Sequence, residues 1–183
     1  MDIKSKVREA LTNNPPVVLN IWDFDGTLVD TGLPETHKPI WKEKTGTEWP
    51  HVGWWGRVES LDPLFNHPAI ASVKADYNEH KDDGINVMLT GRRKNLAAEV
   101  EAILKKECYT FDKYLYNYGG DTLSNKIEQM GNLLKEYPTI KVISLWDDRH
   151  LPEFKQWGDN LIDNGRLDTI NINQVKDGRI IKL

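Results

Sequence analysis

Ile21-Trp22-Asp23-Phe24-Asp25-Gly26-Thr27-Leu28-Val29-Asp30 is the stretch on which the reading of this chain turns. It continues an apolar run, Val17-Val18-Leu19, that has the character of a buried parallel strand. Asp23 and Asp25 stand two residues apart where that strand should end. In an extended chain this spacing puts both carboxylates on one face. Gly26-Thr27 then lets the backbone turn sharply. Two acids converging at the end of a buried strand repel each other. A hard divalent cation such as Mg2+ is the simplest counter-charge.

Alone, Asp-x-Asp-Gly-Thr also reads as a polar turn capped by Asp. After an apolar strand it resembles the first motif of the haloacid dehalogenase superfamily of phosphotransferases. The resemblance implies an α/β fold with a doubly wound parallel sheet of about five strands. Segments downstream match further motifs of that superfamily.

The chain has 183 residues, a length that suits one domain over 1–183. Hydrophobic residues are 39% and charged residues 28%, as in soluble globular proteins. The formal net charge of −4 argues against a broad electrostatic grip on duplex nucleic acid. The single cysteine, Cys108, excludes an internal disulfide. No apolar run reaches membrane-spanning length, and the first residues lack the apolar stretch of a signal peptide. The expected setting is cytoplasmic, with no membrane partner.

Residues 2–13 carry Ile3, Val7, Ala10 and Leu11 at helical spacing. Residues 31–67 differ from their surroundings, with Pro34, Pro39, Pro50 and Pro63 beside Trp41, Trp49, Trp54 and Trp55. This is too long for a plain connection and is expected to be a small aromatic-rich cap insert, as the superfamily often carries here. Its tryptophans either form the insert's own core or, through Trp54 or Trp55, stack on a flat substrate group.

A helix is expected over 68–83. The strand that follows, Ile85-Asn86-Val87-Met88-Leu89, closes on Thr90-Gly91-Arg92-Arg93-Lys94. An apolar strand ending in Thr resembles the superfamily's second motif. Thr90, Gly91 and Arg92 are then the phosphate-binding positions, Arg being suited to bidentate contact. The Thr-Gly-Arg triplet looks like the polynucleotide 3′-phosphatases and the HAD domains of Swiss Army Knife RNA repair proteins.

Further along, a helix is expected over 96–107, a strand over 111–118, and a helix capped by Ser124 running to Tyr137. Lys126, in that helix's first turn, matches the third-motif lysine, whose ammonium offsets the clustered carboxylates and holds the phosphoryl group. Thr139 to Trp146 reads as a fourth strand ending on Asp147-Asp148-Arg149. The resemblance makes Asp148 the direct metal ligand and Asp147 the second. Both face one ion only if the chain has begun to turn. Arg149 suits an ion pair or a substrate contact, and His150 a helix start. A helix over 151–164, a strand over 167–175 and a terminal hairpin complete the chain.

The resemblance implies a phosphatase with Asp23 as nucleophile and Asp25 as acid and base. The Mg2+ cofactor is expected on Asp23, the Asp25 main chain, Asp148 and Asp147. The expected substrate is a phosphorylated RNA or DNA 3′ end or a nucleotide, with repair proteins as partners. Other small phosphate esters are the alternative substrates, and a non-catalytic binding domain is the alternative from another class.

Overall fold

The computed structural model describes residues 15–183. The helix expected over 2–13 lies outside the described residues. Six strands form one sheet: β1 (Val18–Trp22), β2 (Ile85–Arg93), β3 (Lys113–Asn117), β4 (Val142–Asp147), β5 (Thr169–Lys176) and β6 (Arg179–Lys182). Their order is β3-β2-β1-β4-β5-β6. All pairings are parallel except β5 with β6, joined at Asp177-Gly178. The terminal hairpin thus adds a sixth strand to the five expected.

Among the described residues five α-helices accompany the sheet: α1 (Pro34–Thr45), α2 (Ala71–His80), α3 (Ala97–Lys106), α4 (Thr122–Glu136) and α5 (Leu151–Asp163). Among the described residues no helix is long and apolar enough to cross a membrane.

Strand alternation divides the core between the two faces of the sheet. Leu19, Ile21, Val87, Leu89, Ile143 and Leu145 point to the side packed by α4 and α5, through Met130, Leu133 and Phe154. Trp22, Met88 and Trp146 point to the other side, with Val73 and Tyr77 of α2 and Val100 and Leu104 of α3. Trp22 and Trp146 stack with ring centroids 3.7 Å apart. The buried Trp22 indole N–H donates to Asn86 Oδ1 at 3.1 Å, so no polar atom of that pair is left alone.

Helix boundaries shifted where local groups found other partners. Pro68 and Ala69 do not begin α2. The Pro68 carbonyl accepts from Asp30 N–H at 2.9 Å, and Ala69 bridges Val29 antiparallel. The 31–67 segment therefore leaves and rejoins the sheet domain through one paired stem. Helix α4 starts at Thr122 and not at Ser124, because the Asp121 carboxylate accepts from the Ser124 N–H and is the cap. Lys126 consequently lies in the second turn. Cys108 is exposed and sits past α3 with φ 58°.

Candidate active site

The carboxyl ends of β1, β2 and β4 and the start of α4 meet at one rim. Such rims bind ligands in open α/β sheets. Strand β1 ends at Trp22, but Asp23 N–H still donates to the Trp146 carbonyl at 2.9 Å, which keeps it beside β4. The chain then folds back: Leu28 N–H reaches the Asp23 carbonyl, Val29 N–H reaches Phe24, and Gly26 N–H reaches Val29. Gly26 holds φ 68°, and a Cβ there would stand 3.0 Å from Asp148 Oδ2. Glycine is needed both for the turn and for the approach of Asp148.

Lys126 projects from α4 into this turn and is only 2% exposed. Its ammonium donates to Asp23 Oδ1 at 2.7 Å and to Asp147 Oδ2 at 2.6 Å. The chain has already begun to turn after β4, since Arg149 N–H donates to Asp147 Oδ1 at 3.0 Å. The adjacent acids can therefore both face β1. Carboxylate oxygens of Asp23, Asp147 and Asp148 all lie within 4.8 Å of one another.

One ammonium cannot balance three carboxylates. Burial pushes the Asp23 carboxyl well above the usual range; Lys126 opposes that rise, while Asp147, Asp148 and Asp25 add to it. Asp148 is raised as well, by burial and then by Asp147, against Arg149 and Lys126. Burial alone would lower Lys126, but Asp147 and Asp23 hold it above its ordinary value, so it stays an ammonium.

Asp23 Oδ2 is buried with no hydrogen-bond partner among the described residues. Three clustered carboxylates with one ammonium between them, all oxygen donors, fit a hard divalent cation.

Asp25 is turned elsewhere. Its carboxylate accepts from Arg92 Nε at 2.9 and 3.0 Å, from Arg92 Nη2 at 2.8 Å and from the Thr31 hydroxyl at 2.7 Å. Its counter-charge is thus Arg92, where the sequence alone suggested one cation shared with Asp23. The Arg92 fork, expected to face a phosphate, faces Asp25. Its Nη1 donates to the Trp55 carbonyl at 2.9 Å and to Ser60 Oγ at 2.8 Å, tying Asp25 to the 31–67 segment. Thr90 is fully buried, and its hydroxyl accepts from Arg92 N–H at 3.1 Å. A Cβ on Gly91 would stand 2.7 Å from Thr122 Cγ2, so this glycine lets β2 lie against the start of α4.

The 31–67 segment closes one side. Trp54, 4% exposed, packs with Trp49, His37 and Phe65 in a small aromatic core. Trp55 is half-buried and faces a cavity of about 470 Å³ that Asp25 and Asp148 also line. Trp54 thus belongs to the segment's own core, and Trp55 stands outside it. Arg149 is exposed, 3.3 Å from Asp148 Oδ1, with its guanidinium 5.9 Å from the Trp55 ring centroid. His150 is the residue before α5, with φ 58°.

One group thus unites buried Asp23, Lys126 and Asp147 with half-buried Asp148, and a second unites buried Asp25, Arg92 and Thr31. Sequence reasoning missed Thr31 and Ser60, because a lone hydroxyl in a loop carries no pattern.

The family model described as HAD domain family 1 in Swiss Army Knife RNA repair proteins matches residues 37–180. The match takes in Thr90, Arg92, Lys126, Asp147 and Asp148; Asp23 and Asp25 precede it. No curated protein and no solved structure matches the chain.

Proposed function

Because the chain belongs to HAD domain family 1 of the Swiss Army Knife RNA repair proteins, a domain type of phosphatase-like hydrolases, we propose that it is a phosphomonoesterase working through an aspartyl-phosphate. The observation that carries this reading is the unpartnered, buried Asp23 Oδ2, while Oδ1 of the same carboxylate is fixed by Lys126. One oxygen is anchored and the other is free to attack.

Asp23 Oδ2 forms the bond to phosphorus as the ester bond breaks in line. Asp25, its Oδ1 held by Arg92 and Thr31, would carry on Oδ2 the proton that passes to the departing ester oxygen. It then takes a proton from the water that attacks the aspartyl-phosphate, which restores Asp23 and releases phosphate. Lys126, Thr90 and the N–H groups of the 24–27 turn other than Gly26 neutralise charge on the phosphoryl oxygens. Asp23, Asp147, Asp148 and the Asp25 main chain would hold Mg2+, which when bound reduces repulsion between the carboxylate and the phosphate. Arg92 acts as the residue that positions Asp25. The 31–67 segment is the cap over the site. The substrate in this reading is a nucleic-acid end, as a 3′-phosphate, or a nucleotide.

Asp23→Asn tests the scheme. The amide keeps the acceptor for Lys126 but is a poor nucleophile. Magnesium-dependent hydrolysis of phosphomonoesters should fall at least about a thousandfold with the fold intact by circular dichroism. Undiminished turnover in that variant rejects the nucleophile assignment.

A further inference from the structure

The cavity at the rim is larger than a phosphoryl group requires. At about 470 Å³ it falls in the range of roughly 300–1,000 Å³ that encloses whole small ligands. Asp25, Gly26 and Asp148, neighbours of Asp23 in the site, line it, and Trp55, Leu33 and Ile70 supply apolar surface. Beyond them lie Asp30 and Asp177, both exposed.

Trp55 stands outside the aromatic core that its neighbour Trp54 joins. Its carbonyl is fixed by the buried Arg92, whose guanidinium stands 5.7 Å from the indole centroid. Arg149 stands 5.9 Å from the same ring and pairs with Asp148. An indole anchored through its backbone, half-open to the cavity and flanked by a guanidinium, is a surface for a flat π-system. Asp30 and Asp177 accept hydrogen bonds from amino and hydroxyl groups and repel additional phosphates.

We propose that Trp55 and Arg149 form a platform for the base of the nucleoside that carries the scissile phosphate. The proposal rests on the phosphatase reading for its orientation, with phosphate toward Asp23 and base toward the cap. The recognised chemistry is one nucleoside bearing one phosphomonoester. A free nucleotide and the terminal nucleotide of a strand both present it.

The test uses the full chain with Mg2+ and three substrates: adenosine 3′-monophosphate, a 3′-phosphorylated oligonucleotide and glycerol 2-phosphate. Trp55→Ala should lower kcat/KM on the better of the two nucleotide substrates, relative to glycerol 2-phosphate, by about tenfold or more, mainly through KM. Trp55→Phe, which keeps a ring, should retain most of the preference. An unchanged ratio in the alanine variant, or an equal loss on glycerol 2-phosphate, overturns the platform. The relative kcat/KM of the two nucleotide substrates identifies the source of the nucleoside.

A binding arm is independent of turnover. Calorimetric titration of adenosine 3′-monophosphate into the Asp23→Asn chain should show an about tenfold weaker Kd once Trp55→Ala is added. Equal affinities overturn the proposal. Should the wild-type chain hydrolyse none of the three esters, the phosphatase reading fails while the titration still decides the platform.

Discussion

Lys126 is a buried cation whose two closest partners come from different strands: Asp23 after β1 and Asp147 at the end of β4. Removing one member of such a group leaves the others charged and unpaired, a cost of about 3–5 kcal/mol. Lys126→Met should therefore lose stability of that order in urea unfolding at neutral pH without added metal. A loss below about 1 kcal/mol would mean that the acids are already neutral. The pH dependence belongs to the carboxyls, because the pKa of Lys126 is held above its ordinary value. Asp23 and Asp148 bind protons more tightly folded than unfolded. Their contribution is fully present below the ordinary carboxylate value of about 4 and is lost as pH rises through the raised folded values. Metal-free protein should thus lose stability over that window, and Asp23→Asn should show a shallower decline. Parallel urea midpoints against pH for the two chains would contradict the assignment to Asp23.

At the scale of elements, the site depends on helices lying close against strands. Gly158 of α5 faces Ile170 of β5, where an added Cβ would come within 2.4 and 2.6 Å of its side-chain carbons. Ile is stiff at χ1 and has no easy escape. Gly158→Ala should cost about 1–3 kcal/mol by overpacking, with kcat per folded molecule unchanged. A neutral result in chemical denaturation would show that α5 can slide. The 31–67 segment is joined to the sheet domain in a different way. Apart from its paired stem, Arg92 reaches it through Trp55 and Ser60. Substituting lysine at 92 keeps the charge but removes the planar fork. Arg92→Lys should therefore lower kcat, because Asp25 loses its fixed orientation, and a wild-type kcat would remove Arg92 from that role.

For the whole molecule, the strand order places β1 at the centre, with β2 and β4 as its neighbours. The three strand ends that carry Asp23, Thr90 and Asp147 are adjacent for that reason. A cation held by Asp23, Asp147 and Asp148 would link the ends of β1 and β4 and should stabilise the entire domain. At about 100 times its Kd, Mg2+ should contribute about 2.7 kcal/mol, or roughly 5–10 °C in Tm for a chain of this size. Asp148→Ala should lose most of that increment. The increment should also shrink at acid pH, where protons compete for the raised carboxyls. Equal Tm with Mg2+ and with chelator at neutral pH would argue against the ion site.

The alternation of strands and helices, the buried character of β1, β2 and β4, and the placing of Asp23, Thr90 and the Asp147-Asp148 pair at strand ends were all legible in the amino-acid string. They follow from hydrophobic periodicity and turn residues, which are local and so are written in consecutive positions. The partner of Asp25 was decided only in three dimensions. Arg92 lies 67 residues from Asp25, and the string does not state that its guanidinium faces that acid. The same holds for Trp54 and Trp55, adjacent in the chain yet assigned to a packed core and to an open cavity. Pairing depends on distances between segments brought together by the sheet order, and local pattern carries no information about those distances.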